Sequence, residues 1–470
     1  MNLKSHIRPQ IFKTIGKCAA ELDVEVYAIG GMVRDILLKR PNKDFDFVTN
    51  GDGIALAQAV ANKLGVNRIN VFKNFGTAHF KFADFDLEFV GARKESYSQE
   101  SRKPYVAPGS LTDDQNRRDF TINAMAISLQ ESSFGELIDP FNGVQDLYSK
   151  TIRTPLDPDI TFSDDPLRMF RAIRFATQLG FNIEKTSYDA IRKNAHRIDI
   201  ISTERITTEV NKMIASKRPS KGFRMMFDTG LLHRFFPEMV KLHGTEKIDG
   251  LTHKDNFFHT LQVLDNLAET SENLWLRWSA ILHDIAKPPT KRFEPGIGWT
   301  FHGHEDLGAR WVPKIFARMK LPLDHQMKYV QKMVQLHLRP IALTKEEITD
   351  SAIRRLLFET GDDIDDLMLL CKADITSKNE AKVQRYLSNY ELVKLKLEEV
   401  EKKDHIRNFQ PPISGEMIMT TFGITPGREV GIIKNAIKDA ILDGVIHNEY
   451  DDAYQFMLIE ANKLGLQKVG

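Results

Sequence analysis

The chain has 470 residues, 42% hydrophobic and 27% charged, which is enough for about three or four packed domains and excludes a mainly disordered chain or a small disulfide scaffold. Lys+Arg (65) balances Asp+Glu (64) at a net charge of +1, so bulk charge announces no nucleic-acid partner and any basic patch must be local. Two cysteines, Cys18 and Cys371, give no thiolate zinc site; with no signal-peptide core in MNLKSHIRPQIF and no run of about 18 apolar residues, a cytoplasmic protein with no membrane span is expected. In chain order, IFKTIGKCAAEL reads as a helix and EVYAIGG as a strand entering a Gly-Gly turn. MVRDILLKR follows as a helix, DFDFV as a strand, and GIALAQAVANKLG as a helix closed by Gly65. RINVFKNFGTAHFKFADFDLEFV gives two strands joined around Phe75-Gly76, then a third, and this unit ends near Asp139-Pro140. From about residue 156 strand signals largely vanish, and DDPLRMFRAIRFATQLGF, DAIRKNAHRIDII and TERITTEVNKMIAS are amphipathic helices. The expected fold class is α+β, a small mixed-sheet head and a long helical body, divided at 1–155, 156–245, 246–385 and 386–470.

GGMVRDILLKRPNKDFDFV concentrates features that suit phosphate chemistry. Gly30 and Gly31 can expose backbone N–H groups to an anion before a helix, with Arg34 and Asp35 in its first turn. Asp44 and Asp46 are two apart on a strand, so both carboxylates share one face while Phe45 and Phe47 enter the core. Adjacent carboxylates repel unless a divalent cation lies between them, and Mg²⁺ prefers such oxygen ligands. DLEFV supplies the third carboxylate from Glu88, with Asp86 as the second choice.

GGMVRD…KDFDFV, RRDFTINAMA, DPFNGVQDL and DDPLRMFRAIRF, in that order, resemble the motifs of class II CCA-adding tRNA nucleotidyltransferases and of the related bacterial poly(A) polymerases. The resemblance spans about residues 25–240. It implies a polymerase-β-like head and attack of an RNA 3′-hydroxyl on the α-phosphate of CTP or ATP. The implied partners are tRNA, ATP and CTP, and the implied catalytic set is Asp44, Asp46 and Glu88 with Mg²⁺. Arg117 and Arg118 precede an expected helix and suit phosphates, and Asp119 and Asn123 are i,i+4 neighbours able to reach a ribose hydroxyl. Asp165 and Arg168, i,i+3 on an expected helix, form an acceptor–donor pair that matches the amino group and ring nitrogen of cytosine or adenine and opposes uracil and guanine. The family assigns its protein template to these two positions. Arg171 and Arg174 follow on the next turns, placed for triphosphate. The family usually has Glu where this chain has Asp164. Residues 151–224 hold 14 Lys+Arg against 9 Asp+Glu, which makes this stretch the local candidate for an RNA-phosphate track.

Half of the 14 histidines fall between 253 and 337. His259, the adjacent His283 and Asp284, and Asp374 resemble the H…HD…D pattern of the HD superfamily of metal-dependent phosphohydrolases. His304 and His337 resemble the extra ligands of its two-metal members, and His302 has no clear role. Imidazole with carboxylate implies a divalent transition metal of unspecified identity. Some relatives use this domain as a phosphodiesterase or phosphatase, others as a scaffold, and the sequence does not choose. The leading expectation is CCA addition. Poly(A) polymerase is disfavoured by a tail that is not strongly basic. CC-only addition is disfavoured by the retained loop ARKESYSQESRKPYVAPGS, with Arg93, Glu95 and Tyr97. A-only addition stays open. A phosphohydrolase with an RNA-binding head is opposed by the intact Asp44, Asp46 and Arg168. In the tail, FGITPGREVG is expected to turn on Gly423, Gly427 and Gly431, with Pro426 and Arg428 beside an RNA phosphate.

Overall fold

The computed structural model describes residues 1–469 apart from 8–9, 74–75, 99–100, 344–348, 377–378 and 405–408; at 95–98, 101–106, 382 and 404 it describes the backbone alone. The chain divides into two compact units, Met1–Val240 and Lys241–Gly470.

The first unit opens with α1 (Gln10–Glu21), β1 (Val26–Ile29), α2 (Gly31–Leu37), β2 (Asp44–Thr49) and α3 (Gly53–Leu64). The strands β3 (Asn70–Phe72), β4 (Thr77–Phe82) and β5 (Phe85–Gly91) follow, as their alternation predicts. Of the residues expected at the first turn, Phe75 lies outside the described residues and Gly76 sits at φ 59°. The segment expected as a loop between motifs pairs into an antiparallel hairpin of β6 (Arg93–Ser98) and β7 (Ser101–Pro108); the side chains of Glu95 and Tyr97 lie outside the described residues. With β8 (Ala126–Ser128) and β9 (Leu137–Ile138), the main sheet has the order β3-β4-β5-β2-β1-β8-β9. It is mixed, because β2 and β5 run parallel while the other neighbours run antiparallel.

Alternation along β2 gives its two faces different tasks. Phe45 and Phe47 meet Phe12 of α1 at ring-centroid distances of 5.3 and 5.8 Å, and Phe89 of β5 stacks on Phe47 at 5.0 Å. α3 joins them with Leu56 and Val60 fully buried. Its ends follow local chemistry: the Asp52 carboxylate accepts the N–H groups of Ile54 and Ala55, and Gly65 closes the helix at φ 70°. Each buried phenylalanine stabilises the head by roughly 2–3 kcal/mol, and the opposite strand face is left to carry Asp44 and Asp46.

Helices complete the unit: α4 (Leu111–Asn116), α5 (Gly143–Tyr148), α6 (Pro158–Asp164), α7 (Leu167–Leu179), α8 (Lys185–Asn194) and α9 (Thr203–Ile214), then shorter helices to Val240. α7 packs on α9. The helix expected to run unbroken through DDPLRMF is interrupted: Asp164 ends α6, Asp165 is extended at φ −132°, and α7 begins after Pro166. Proline disfavours helical backbone in the residue before it, and here that residue is Asp165.

In the second unit the helices Asn256–Ala268, Leu274–Leu282, His304–Arg318, His325–Leu336 and Ile364–Asp374 pack on one another, with Trp278 and Phe316 fully buried and their ring centroids 6.4 Å apart. A 25-residue helix, Glu380–Asp404, follows, then helices Gly415–Phe422, Arg428–Leu442 and Tyr450–Lys463. In the tail the turn spans Gly423, at φ 63°, to an extended Gly427. Gly431 does not frame it, because it lies inside the helix Arg428–Leu442.

Candidate functional site

In the head, β2 and β5 place Asp44 opposite Asp86 and Asp46 opposite Glu88. Asp86 is taken up by its own sheet: His79 Nε2 lies 3.0 Å and Lys81 Nζ 3.6 Å from its carboxylate. Asp46 and Glu88 instead line a polar cavity of about 320 Å³, together with Arg118, Asp165, Arg168 and Arg171. Asp44 stands exposed at the start of β2, on the same strand face as Asp46. Burial pushes the Asp46 carboxyl up to about 6; Arg118 opposes that shift, and Glu88 and Asp44 reinforce it. An all-oxygen group in which Glu88 and Asp44 crowd the Asp46 carboxylate fits a hard divalent cation.

Gly30 is required, though not for the reason the sequence suggests. Its N–H donates to Met125 O at 3.2 Å, so it does not offer that N–H to an anion. It sits at φ 87°, and a Cβ there would lie 2.8 Å from Arg118 Nη1 and 3.5 Å from Asp46 Oδ2. Gly31 is the first residue of α2, and a Cβ on it would meet Arg34 at 3.4 Å. Arg34 itself is held by Asp35 and by Asn123, whose Oδ1 accepts Nη1 at 2.8 Å.

RRDFTIN does not precede an α-helix. Arg117 caps the C-terminus of α4, and Thr121–Asn123 form a single 3₁₀ turn. Asp119 and Asn123 still meet, the Asn123 amide donating to Asp119 Oδ1 at 3.0 Å. Both are buried; the Asp119 carboxylate also accepts the Phe120 N–H and Arg171 Nε, at 2.9 and 2.7 Å. Burial would push the Asp119 carboxyl up, but Arg171 and the Asn123 amide overrule it and hold it at about 2. Asn123 therefore ties Arg34 to Asp119 rather than standing beside Asp119 as a second open group.

Asp165 and Arg168 do not form the helical i,i+3 ion pair that their spacing allows. The Asp165 carboxylate accepts the Leu167 N–H at 3.2 Å and lies 3.6 Å from Arg205. Arg168 Nη2 donates to the Arg117 carbonyl at 2.6 Å. Both side chains line the cavity as separate polar groups. Arg174 is not among the cavity's lining residues. It is buried, donates to Glu209 of α9 at 2.5 Å and covers the Phe175 ring at 3.9 Å, so its position joins α7 to α9. The sequence reading missed Asp114, a fully buried carboxylate that accepts from both Arg117 and Arg118. A signal was present: the capping box of Ser110 and Asp113 starts a short helix, and Asp114 on it stands three residues before its C-cap, Arg117, and four before Arg118.

In the second unit all six expected residues converge. His259 Nε2 lies 2.9 Å from Asp374 and 3.5 Å from Asp284; His283 Nε2 lies 3.2 Å from Asp284. On the other side of the same carboxylate, His304 Nε2 is 3.3 Å and His337 Nε2 3.9 Å from Asp284 Oδ1. Two groups thus share Asp284: His259, His283 and Asp284, and Asp284, His304 and His337, each with ligand atoms within 4.8 Å of one another. The outer nitrogens fix the rings. Nδ1 of His283, His304 and His337 donates to the carbonyls of Ala280, Phe301 and Val334 at 2.7, 2.7 and 2.6 Å, and His259 Nδ1 meets Thr376 Oγ1 at 2.8 Å. Carbonyls only accept, so in the neutral rings of His283, His304 and His337 the Nε2 keeps its lone pair toward Asp284. His283 Nε2 is buried without a hydrogen bond of good geometry. Burial and the neighbouring His283 hold the His337 imidazole neutral, its pKa about 3. These observations fit a divalent metal held by nitrogen and oxygen. His302 stands outside, 84% exposed in its side chain.

Residues 26–153 match the model of the poly(A) polymerase head domain, 180–242 that of the probable RNA- and SrmB-binding site of polymerase A, and 256–378 that of the HD domain. An A-adding tRNA nucleotidyltransferase of Deinococcus radiodurans is 30% identical over 425 residues, 88% of this chain and 90% of the relative. Another of that name, from Geobacter sulfurreducens, is 38% identical over 247 residues, 51% of this chain but 28% of that relative. A solved structure of a Thermotoga maritima CCA-adding enzyme with tRNA superposes at a TM-score of 0.61 with 22% identity, covering 99% of each chain, and so shares the fold. A poly(A)-polymerase-type head followed by helices and an HD domain defines a nucleotidyltransferase. The chain belongs to the tRNA nucleotidyltransferase family. No helix among the described residues is long and apolar enough to cross a membrane.

Proposed function

We propose that the chain completes tRNA 3′ ends with CCA, using CTP and ATP, in the cytoplasm. The observation that carries this reading is a single cavity in which Asp46 and Glu88 stand together with Asp165 and Arg168. Asp44, Asp46 and Glu88 would hold Mg²⁺; when bound, it neutralises phosphate charge and favours ionisation of the attacking hydroxyl. Arg118 and Arg171 line the same cavity and give a triphosphate two cations. Asp165 accepts the exocyclic amino group of cytosine or adenine, and Arg168 donates to the ring nitrogen beside it. The two side chains do not pair with each other; beyond the contacts of Asp165 with Leu167 and Arg205 and of Arg168 Nη2 with the Arg117 carbonyl, each has further acceptor or donor capacity for a base. Asp119 orients Arg171 and stands next to the ribose. Residues 1–155 serve as the palm, 156–245 bind base and RNA, and the tail 386–470, with Arg428 exposed beside its turn, adds a tRNA contact.

A-only addition is the second reading, favoured by the name of the Deinococcus relative that matches 88% of the chain. One assay separates these readings. The protein is incubated with tRNA ending before CCA, or ending in CC, plus CTP, ATP and Mg²⁺, and the 3′ end is weighed by mass spectrometry. Three added nucleotides on the first RNA support CCA addition. One adenosine on the second RNA alone supports A-only addition, and a long adenosine run supports poly(A) synthesis. No extension of either RNA refutes all three.

In residues 246–385, His259, His283, Asp284 and Asp374 would hold a divalent transition metal, with Asp284, His304 and His337 as an adjoining set. When bound, such an ion supplies a water of lowered pKa for phosphoester hydrolysis. Lys287, 2.7 Å from Asp284, keeps a positive charge at the rim for a phosphate. Release of phosphate from RNA ends or hydrolysis of a 2′,3′-cyclic phosphate tests this. Bound metal without turnover would leave the domain a metal-stabilised scaffold.

A further inference from the structure

Asp114 has no solvent exposure, yet its carboxylate faces two guanidinium groups of the nucleotide cavity. Oδ1 accepts Nε of Arg117 at 2.9 Å and its Nη2; Oδ2 accepts Nε and Nη2 of Arg118 at 3.1 and 3.0 Å. One carboxylate thus grips the same inner edge of two consecutive arginines. For Arg118 this leaves Nη1 on the side of Gly30 and Asp46, 2.8 Å from where a Cβ at residue 30 would lie. The grip also has a reach beyond α4. The Arg117 carbonyl is the acceptor for Arg168 Nη2, so the peptide that Asp114 anchors through Arg117 also fixes the side chain at the proposed base subsite.

We propose that Asp114 is the positioning residue of the nucleotide site, setting both the aim of Arg118 toward phosphate and, through the Arg117 carbonyl, the aim of Arg168 toward the base. The proposal rests on the reading of this cavity as the nucleotide site. Asp114 touches no substrate in this role. Two arginines side by side repel each other, and the buried carboxylate between them offsets that repulsion while turning their outer edges one way. An amide in its place keeps the volume but loses the charge and offers one acceptor oxygen instead of two. One arginine is then released, and the Arg117–Arg118 turn loosens.

The test compares wild type, Asp114→Asn, Asp114→Glu and Arg118→Ala in single-nucleotide addition to a tRNA acceptor, with tRNA affinity and melting temperature measured alongside. Asp114→Asn should raise the KM for ATP by about tenfold or more and raise UTP and GTP misincorporation relative to ATP, with tRNA affinity unchanged. If Asp114→Asn does not fold, Asp114→Glu, which keeps the charge but displaces both arginines by a methylene, should show the same KM and selectivity changes. A folded Asp114 variant with wild-type KM and base selectivity overturns the proposal. So does one whose kcat falls with KM and selectivity fixed, since that is the mark of general destabilisation. Arg118→Ala separates the two levels: if it leaves ATP binding intact, the cavity reading itself has failed. If it weakens ATP binding while the Asp114 variants do not, the positioning role alone has failed.

Discussion

Burial and three neighbouring carboxylates, Glu88, Asp44 and Asp114, oppose the charge on Asp46, while Arg118 supports it. Asp46→Asn removes that repulsion at nearly constant volume. The expected result is a protein that melts no lower than wild type but has lost nucleotide addition by at least about a hundredfold. Near-normal addition at saturating Mg²⁺ and nucleotide would remove Asp46 from the catalytic set. Asp119 makes the opposite case, a carboxylate the fold stabilises in its charged form. Its pKa of about 2 lies below the ordinary 3.8. A depressed folded-state pKa contributes stability that is fully present above the unfolded value and is lost as pH falls through the folded one. The window is therefore pH 4 down to 2, and the contribution is on the order of 2 kcal/mol. Asp119→Asn should be less stable than wild type at pH 7, and the gap should narrow as the pH drops toward 2.5. Urea midpoints across that range decide it; a gap constant with pH would show that the carboxylate charge is not what Arg171 and Asn123 stabilise.

At the scale of elements, β2 and its turn were readable because strand period is rigid: two residues apart means one face, whatever surrounds it. The shared face of Asp44 and Asp46, and that of Asp86 and Glu88, follow from that rule; the preference for Glu88 over Asp86 does not. Asp165 was misplaced because helical periodicity runs straight through DDPLRMF, while one proline overrides it. Arg174, expected beside the triphosphate, packs away from the cavity for a related reason. Spacing gives a helix face but not what packs there, and α9 brings Glu209 to that face. The histidine cluster was legible as a set of ligand types in order. Its inward Nε2 geometry depends on carbonyls of Ala280, Phe301 and Val334, which no side-chain pattern encodes. The β1–α2 turn gives a prediction at this scale. Gly30→Ala puts a Cβ at φ 87° and 2.8 Å from Arg118 Nη1. It should cost about 1–3 kcal/mol of stability and raise the KM for ATP, because Arg118 must move. An unchanged KM with a lowered melting temperature would confine the glycine to backbone strain.

Across the whole molecule, two clusters of candidate metal-binding side chains lie in two compact units, and their donor sets differ in kind. The head offers carboxylate oxygen alone, suited to a hard ion that exchanges with each nucleotide. The HD cluster offers four imidazoles whose rings are locked by second partners, suited to a borderline ion that stays. The two functions should therefore come apart. His283→Ala with Asp284→Ala removes the carboxylate that both groups share and a buried imidazole, so tightly bound metal and any phosphodiesterase activity toward a 2′,3′-cyclic phosphate should vanish. Nucleotide addition should stay within about twofold of wild type, because the described residues that line the Asp46 cavity all belong to the first unit. Lys287 loses its partner Asp284 in this variant, so some destabilisation of the second unit is expected and must be separated from loss of function. Metal analysis of the purified protein, circular dichroism and the 3′-end mass assay together make that separation. A folded, metal-free double variant that no longer extends tRNA would show that addition needs the metal-loaded HD unit.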